Sequence, residues 1–245
     1  MSSEYIINPN LVRLEWSFPI LISDNYFKSD FYRDLKDNFP NFNTLEWSEY
    51  GQLHRKNIRI NSSDDIEKTK LHESYGKLFE YFNSLEFKRS MHTIFNHDLE
   101  SNGFIGNFDT AELDFNICEA TDGYENPFHV DTRKKIIHIL FYFGKDDIIE
   151  GGELAIAKHK KLSKIINYPQ YPNISDLIEI KKFDPEDNLA LIVLSTPNSY
   201  HKGCATKGMR RFLYVALNNK NGSAWRHRKN WCMNKPFHVA LEDQN

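Results

Sequence analysis

The N-terminal part of the chain combines a short alternating stretch with a helical pattern. Residues 10–22 alternate apolar and polar side chains and end in an apolar patch, which predicts one or two opening strands. Ser23 or Asp24 can then cap an amphipathic helix that begins at the following residue and that Pro40 ends. The apolar positions of this helix are Phe27, Phe31, Leu35 and Phe39. We expect the helix to pack against a sheet.

A second helical region follows a polar, irregular stretch over residues 41–61, in which residues 57–60 predict a short strand. Ser62 and Asp65 have the spacing of a capping box at the start of a helix. The apolar face of that helix is formed by Leu71, Tyr75, Leu78, Phe79 and Phe82. Ser84 predicts the start of a further helix.

From residue 111 onward the pattern changes to short β-rich runs separated by turns. These runs predict eight strands, over residues 113–119, 128–131, 135–143, 153–157, 177–183, 188–194, 200–204 and 210–218. Their spacing is typical of an antiparallel sandwich or barrel. A double-sheet jelly roll of the kind that cupins share is one architecture that closes such strands without long exposed edges. We therefore predict a mainly β protein with flanking N-terminal helices, of the α+β class.

The 245 residues contain no linker rich in Pro, Gly or Ser and no internal repeat. A chain of this length can form one large core. We therefore predict a single domain over residues 1–245. Residues 1–110 would form a helical and strand buttress, residues 111–219 the jelly-roll core, and residues 220–245 a C-terminal extension.

The composition is that of a globular protein, with 40% apolar, 27% charged and 14% aromatic residues. The net charge of −3 provides no field that would attract nucleic acid. Cys118, Cys204 and Cys232 are widely spaced and indicate reduced thiols. No apolar run approaches the roughly 20 residues of a membrane helix, and the N-terminus lacks a signal-peptide pattern. We expect a cytoplasmic protein without a membrane partner, and the sequence leaves its oligomeric state open.

The most distinctive short motif is the pair His129 and Asp131, separated by Val130. On a strand, side chains alternate faces, so the imidazole and the carboxylate point the same way. His201, seventy positions further along the chain, is the best candidate for a third ligand. Two histidines and one carboxylate on one face of a metal ion form the facial triad of non-haem Fe(II) oxygenases.

The remaining histidines have weaker patterns. None of His54, His72, His92 and His97 has a partner at ligand spacing, so we expect exposed or outer-layer side chains. His138 lies on the predicted strand 135–143 at the same parity as Tyr142. We expect His138 to face the cavity without binding a metal.

A longer ordered set of motifs surrounds the pair. The set comprises His129 and Asp131, the apolar run 139–143, the Gly-Gly turn in 151–154, His201 and the segment 208–212. In this order the motifs resemble the 2-oxoglutarate and Fe(II)-dependent oxygenases, specifically their prolyl 4-hydroxylase-like branch. The resemblance covers roughly residues 110–219 and implies a double-stranded β-helix core.

The resemblance also implies an activity. His129, Asp131 and His201 would hold Fe(II), and dioxygen would oxidise 2-oxoglutarate to succinate and CO2 while an amino-acid side chain is hydroxylated. Ascorbate is an optional reductant in this chemistry. The substrate would be a protein, a peptide or a small molecule. Residues 124–128, 148–150 and 168–176 would rim the mouth of the site.

In the family, a basic residue shortly after the second histidine binds the far carboxylate of 2-oxoglutarate. Arg210 and Arg211 compete for this role, and on a strand they face opposite sides. An arginine suits this role because its guanidinium can form two parallel hydrogen bonds with a carboxylate. We favour Arg210, which lies nine positions after His201 and follows the family's Gly-x-Arg spacing, and we expect Arg211, which precedes an aromatic residue, on the outer face. Tyr142 matches a tyrosine that bonds the same carboxylate, although an ordinary core tyrosine explains it equally well.

Three other functions compete with the oxygenase. A cupin-type metal enzyme would use similar strands and histidines, but it would not need the arginine after His201. A non-catalytic jelly roll that binds a sugar or a partner would have no affinity for iron. A zinc hydrolase would need a glutamate close to its metal ligands for proton transfer, and the motif has none.

Overall fold

The structure is a computed structural model that describes residue 7 and residues 10–45, 48–49, 54–144, 147–160 and 169–226. Four α-helices occur in these segments: α1 (Ser29–Asp37), α2 (Ser63–Lys68), α3 (Glu73–Asn83) and α4 (Leu85–Ser101). Most of the predicted C-terminal extension, and Cys232 within it, lies outside the described residues. Whether the chain forms a single domain stays a prediction.

The strands fall into three groups along the chain. The first group is β1 (Val12–Glu15), β2 (Pro19–Ser23), β3 (Ser48–Glu49) and β4 (Arg55–Ile60). The second is β5 (Glu112–Ala120), β6 (Asn126–His129), β7 (Lys135–Phe143), β8 (Ile148–Gly151) and β9 (Leu154–His159). The third is β10 (Leu177–Phe183), β11 (Asp187–Leu194), β12 (Tyr200–Gly203), β13 (Thr206–Gly208) and β14 (Arg210–Asn218).

These strands form two main antiparallel sheets and one small ribbon. The larger sheet has eight strands in the order β1-β2-β11-β7-β14-β5-β4-β3, and the smaller has four in the order β10-β9-β12-β6. β13 pairs with β8 in the ribbon. Neighbours in each sheet are often far apart in sequence, which is typical of a jelly roll. The mainly β class with N-terminal helices is therefore confirmed.

The outer face of the larger sheet packs against the helices. Phe141 on β7 lies with its ring centroid 5.4 Å from that of Phe82 on α3 and 4.9 Å from that of Phe27. The same apolar cluster includes Tyr75, Leu78, Phe79 and Leu35, all of them buried. The predicted packing of the helices on a sheet is therefore confirmed. This layer fixes the sheet from one side and leaves its other face for the site.

α1 begins at Ser29, five residues later than the earliest predicted start. The side-chain amide of Asn188 accepts a hydrogen bond from the Phe27 N–H at 2.9 Å and donates one to the Phe27 carbonyl at 2.8 Å. Both backbone groups of Phe27 are therefore paired outside a helix. This contact comes from a residue 161 positions away, which local pattern cannot reveal.

The capping box at Ser62 and Asp65 is confirmed, but the helix that it starts ends at Lys68. Lys70 has a φ of 53°, in the left-handed region that helices do not use. A separate helix, α3, then begins after His72, whose ring accepts from the Ser74 N–H. The predicted single helix is therefore two. Ser84 caps α4 as expected, with its hydroxyl accepting from the backbone N–H of Phe87 at 3.1 Å.

All eight predicted strands are present, and the ribbon formed by β8 and β13 was not predicted. A turn was expected around Gly151, and the structure extends pairing up to that residue. Gly151 has a φ of 77°, and a Cβ built on it would lie 1.9 Å from the carbonyl oxygen of Ala205. Only glycine allows this close approach of the two backbones.

No helix in the described segments is long and apolar enough to cross a membrane. Cys118 and Cys204 are free thiols, as the sequence indicated. The cytoplasmic location stays a prediction.

Candidate metal centre

The side chains of His129, Asp131 and His201 converge at one point between the two main sheets. His129 ends β6, and it stands directly opposite His201 on β12 in the strand pairing. β6 ends two residues earlier than predicted, so Asp131 lies just beyond it. One ligand atom from each residue lies within 4.8 Å of the others. The three side chains, 8%, 3% and 6% exposed, are called the triad below.

The orientation of both triad imidazoles is fixed by backbone carbonyls. The Nδ1 of His129 lies 2.8 Å from the Pro127 carbonyl oxygen, and the Nδ1 of His201 lies 2.9 Å from that of Ser199. A carbonyl oxygen only accepts, so each Nδ1 must carry the proton and donate. Each Nε2 then keeps its lone pair, which is the state that a metal ion requires.

The protonation states of the triad also suit a metal. Burial lowers the pKa of His129 to about 3 and that of His201 to about 4, because a charged imidazolium would lose its hydration. Burial opposes the ionisation of Asp131, but Lys135, His138 and His201 together outweigh it and hold the pKa of Asp131 well below its usual range. At neutral pH the triad therefore consists of two neutral imidazoles and one carboxylate.

Three donors surround the Asp131 carboxylate. Lys135 Nζ lies 2.5 Å from its Oδ1, while Ser195 Oγ and His138 Nδ1 each lie 2.7 Å from its Oδ2. Lys135 also donates to the Tyr214 hydroxyl. These bonds fix the plane of the carboxylate. His138 thus faces the cavity as expected, and it contacts Asp131.

Sequence reasoning did not identify Lys135 or Ser195. Lys135 could have been noticed as the single charge at the start of an otherwise apolar strand. Ser195 is 64 positions from Asp131 and follows an apolar strand like any other turn residue. The other four histidines singled out, His54, His72, His92 and His97, are exposed as expected.

Arg210 and Tyr142 face the same cavity from the larger sheet. The guanidinium carbon of Arg210 lies 4.8 Å from the Tyr124 ring centroid and 4.7 Å from that of Phe212. One of its terminal nitrogens donates to the carbonyl of Gly152. The Nε of Arg210 and the hydroxyl of Tyr142 are buried without a hydrogen-bond partner among the described residues. Arg210 is only 3% exposed, and buried donors of this kind are normally paired, so a polar group in the cavity can satisfy them.

Arg211 lies on the opposite face of β14. Its guanidinium is 3.0 Å from the Asp147 carboxylate and 5.4 Å from the Phe39 ring centroid, next to α1. The two arginines therefore point to different sides of the sheet. Burial raises the pKa of the Tyr142 hydroxyl above its usual value, which keeps the phenol protonated and able to donate.

The residues present fit both a metal ion and 2-oxoglutarate. The triad offers two imidazole nitrogens and a carboxylate oxygen on one side of a point, and the rest of the coordination sphere opens to the cavity. The orphaned donors of Arg210 and Tyr142 match a carboxylate acceptor. The roles of these five residues stay predictions.

The cavity has a volume of about 580 Å3. Two of the three predicted rim segments contribute to its wall, through Tyr124 and Asn126 and through Gln170 and Tyr171. Residues 148–150 do not appear in the described wall, and residue 168 lies outside the described residues. Further wall residues were not assigned to the site from the sequence: Arg55, Asn57, Arg59, Asp114, Asn116, Lys135, Tyr214 and Asn218.

No protein-family model matches the sequence, and no curated protein matches it either. Solved structures do match its fold. A prolyl-4-hydroxylase from Pseudomonas putida superimposes with a TM-score of 0.52 at 11% identity, covering 82% of this chain and 93% of that one. HygX from Streptomyces hygroscopicus, with nickel, 2-oxoglutarate and hygromycin B bound, gives a TM-score of 0.50 at 9% identity, covering 86% of each chain.

These likenesses confirm, at the level of fold, the resemblance predicted from the sequence motifs. The chain has the double-stranded β-helix of the 2-oxoglutarate and Fe(II)-dependent oxygenases, as prolyl hydroxylases do. At such low identity the likeness shows the fold alone.

Proposed function

We propose that this chain is an Fe(II)- and 2-oxoglutarate-dependent dioxygenase that hydroxylates an amino-acid side chain of a protein, peptide or small molecule. Succinate and CO2 are the other products. The observation that carries this proposal is one cavity that contains both the triad and a buried arginine and tyrosine with orphaned donors. Fold alone would not support the activity, because one fold hosts many functions.

His129 and His201 hold the metal through Nε2, because their Nδ1 protons are occupied by backbone carbonyls. Asp131 adds the single negative charge. Bound Fe(II) supplies the oxidising chemistry by using 2-oxoglutarate and dioxygen. Ascorbate is an optional reductant in this scheme.

Arg210 and Tyr142 bind the far carboxylate of 2-oxoglutarate. The guanidinium supplies charge-assisted hydrogen bonds, and the protonated phenol donates one more. The rings of Tyr124 and Phe212 pack against the guanidinium and shield it from water. In such a dry environment the same hydrogen bonds are stronger than in water.

The second candidate is a non-catalytic or cupin-type jelly roll that binds a metal or a sugar. A buried guanidinium with an orphaned Nε is costly, and such a protein would have no use for it beside the triad. This observation favours the oxygenase.

The test is the visible absorption of anaerobic protein with Fe(II) and 2-oxoglutarate, in which a chelated complex gives a weak charge-transfer band. We expect the band in the wild type and its loss in His129→Ala and Asp131→Ala, because each substitution removes a ligand. His97→Ala is the matched control, since this exposed histidine lies on α4 outside the cavity. A wild type without the band, or triad variants that keep it, would contradict the proposal.

A further inference from the structure

The cavity extends beyond the triad along a wall formed by β4 and β5. On β4, Arg55, Asn57 and Arg59 alternate with Ile58 and Ile60, which lie in the apolar cluster on the helix side. The register sets Asn57 opposite Cys118 on β5, and Cys118 opposite Phe212 on β14. The pleat therefore directs all three polar side chains of β4 to the cavity face.

This wall is polar and largely buried. Arg55 is 8% exposed and Asn57 is 5% exposed, and both line the cavity together with the buried Asn116. The Asn57 side-chain oxygen has no hydrogen-bond partner among the described residues. A buried acceptor without a partner costs free energy that a hydrogen-bond donor on a ligand would recover. A purely apolar ligand would leave this cost in place.

The described lining of the cavity carries more positive than negative charge. The described lining contains four cations, Arg55, Arg59, Lys135 and Arg210, and only two carboxylates, Asp114 and Asp131. Fe(II) and dianionic 2-oxoglutarate would add charges that cancel. The loaded cavity would therefore keep a positive field, which favours a ligand that brings negative charge.

Arg55 is linked to the triad through the side chains of Tyr214 and Lys135. Lys135, which contacts Asp131, lies 5.0 Å from the Tyr214 ring centroid, and the guanidinium carbon of Arg55 lies 6.0 Å from the same centroid. Arg55 also lies 5.9 Å from the Phe212 ring, which Arg210 contacts. A molecule that occupies the cavity can therefore contact both Arg55 and the triad.

From these observations we propose that the primary substrate is a small anionic molecule whose carboxylate or phosphate is bound by Arg55. A donor group of the same molecule, such as an amine or a hydroxyl, bonds the Asn57 oxygen. A neutral peptide segment could donate to the Asn57 oxygen but would leave the excess positive charge of the wall uncompensated. The proposal rests on the dioxygenase assignment, because it uses the triad as the reacting end of the cavity.

The test is calorimetric titration of probe molecules into anaerobic protein that is loaded with Fe(II) and 2-oxoglutarate. Without dioxygen, a probe can bind but is not converted to product. The probes that carry an anionic group are the free amino acids, with their carboxylate, the 2-hydroxy acids, phosphoserine and phosphoethanolamine. The probes that lack an anionic group are the matching amino-acid amides and a blocked prolyl tripeptide. We expect at least one probe with an anionic group to bind, and to bind at least tenfold more tightly than its counterpart without that group. The carboxylate and phosphate probes distinguish the two anion types.

Substitutions then assign the anion to Arg55. Arg55→Met should weaken binding of the anionic probe about 10- to 100-fold, because hydrogen bonds to a charged group are lost. Arg55→Lys should recover part of the affinity. Arg59→Met is the matched control on the same face of β4, and we expect a change below about threefold, since the Arg59 side chain is 59% exposed and its guanidinium is 3.2 Å from Asp114.

Several results would overturn the inference: no anionic probe binds, amides and tripeptide bind as well as acids, or Arg55→Met leaves probe binding unchanged. It would also be overturned if Arg55→Met weakened the binding of 2-oxoglutarate and left the binding of the probe unchanged. To separate failure of this inference from failure of the proposed function, the same probe is titrated into metal-free Arg210→Met, which lacks the competing guanidinium. If the probe binds there and the wild type shows no visible band with Fe(II) and 2-oxoglutarate, only the dioxygenase proposal is contradicted.

Discussion

The two faces of the larger sheet differ sharply although the same strands form both. On β7, Ile137, Ile139 and Phe141 face the helices, while His138 and Tyr142 face the cavity. The helix side is apolar and aromatic. The cavity side carries buried polar atoms without partners among the described residues, including Tyr142 Oη and His138 Nε2. Alternate residues of one strand therefore pack in the apolar core and line the cavity.

This difference has an energetic meaning. Each buried polar atom without a partner destabilises a fold by about 1–3 kcal/mol. The cavity face can keep such atoms because the helix face buries a continuous apolar cluster. Local departures from good packing rules are expected where a site binds a ligand. Substitutions on the two faces should therefore affect different measurements.

The largest expected effect is on the helix face. Phe141→Ala should lower the free energy of unfolding by about 3–5 kcal/mol, because it leaves a cavity between the rings of Tyr26, Phe27 and Phe82. Urea unfolding measures this change. Tyr142→Phe, one residue away on the cavity face, is the control and should cause no loss of stability, since it removes an orphaned hydroxyl whose burial costs about 1–3 kcal/mol. Equal losses in the two variants would refute the contrast between the faces.

The next effect compares Arg210 with Arg211. Arg210→Ala should weaken 2-oxoglutarate binding roughly 100-fold, because it removes charge-assisted hydrogen bonds from a buried site. Arg211→Ala should change it less than about threefold, since this guanidinium lies on the outer face beside Asp147. Titration of the anaerobic visible band with 2-oxoglutarate measures both constants. A reversed order would move the carboxylate site to Arg211.

The alternation that separates the two faces was readable in the sequence, and so were the eight core strands. The motif of His129 and Asp131 could be predicted because its two side chains are local, and His201 because it follows an apolar strand in the expected order. Arg55 and Asn57 could not be assigned to the cavity. Their position depends on the pairing of β4 with β5, whose partner residues lie some 60 positions away in the sequence. The pattern of one strand does not reveal which other strand it pairs with.

The two helical errors have the same origin. The start of α1 depends on the distant Asn188, and the break before α3 depends on a left-handed residue at Lys70. Periodicity describes which face of a segment is buried, but it does not reveal a backbone contact made by another part of the chain. The start of α1 and the break before α3 were therefore not predictable from the periodicity of the sequence.

The smallest effect concerns a residue that sequence reasoning missed. Ser195→Ala removes one of the three donors that fix the Asp131 carboxylate and should weaken Fe(II) binding about tenfold, the lower end for a residue that supports a metal ligand. Ser199→Ala is the matched control, because its hydroxyl is equally buried but donates to the Thr196 carbonyl. Anaerobic Fe(II) titration with a competing chelator measures both variants. If Ser195→Ala bound iron as the wild type does, Lys135 and His138 alone would be sufficient to orient Asp131.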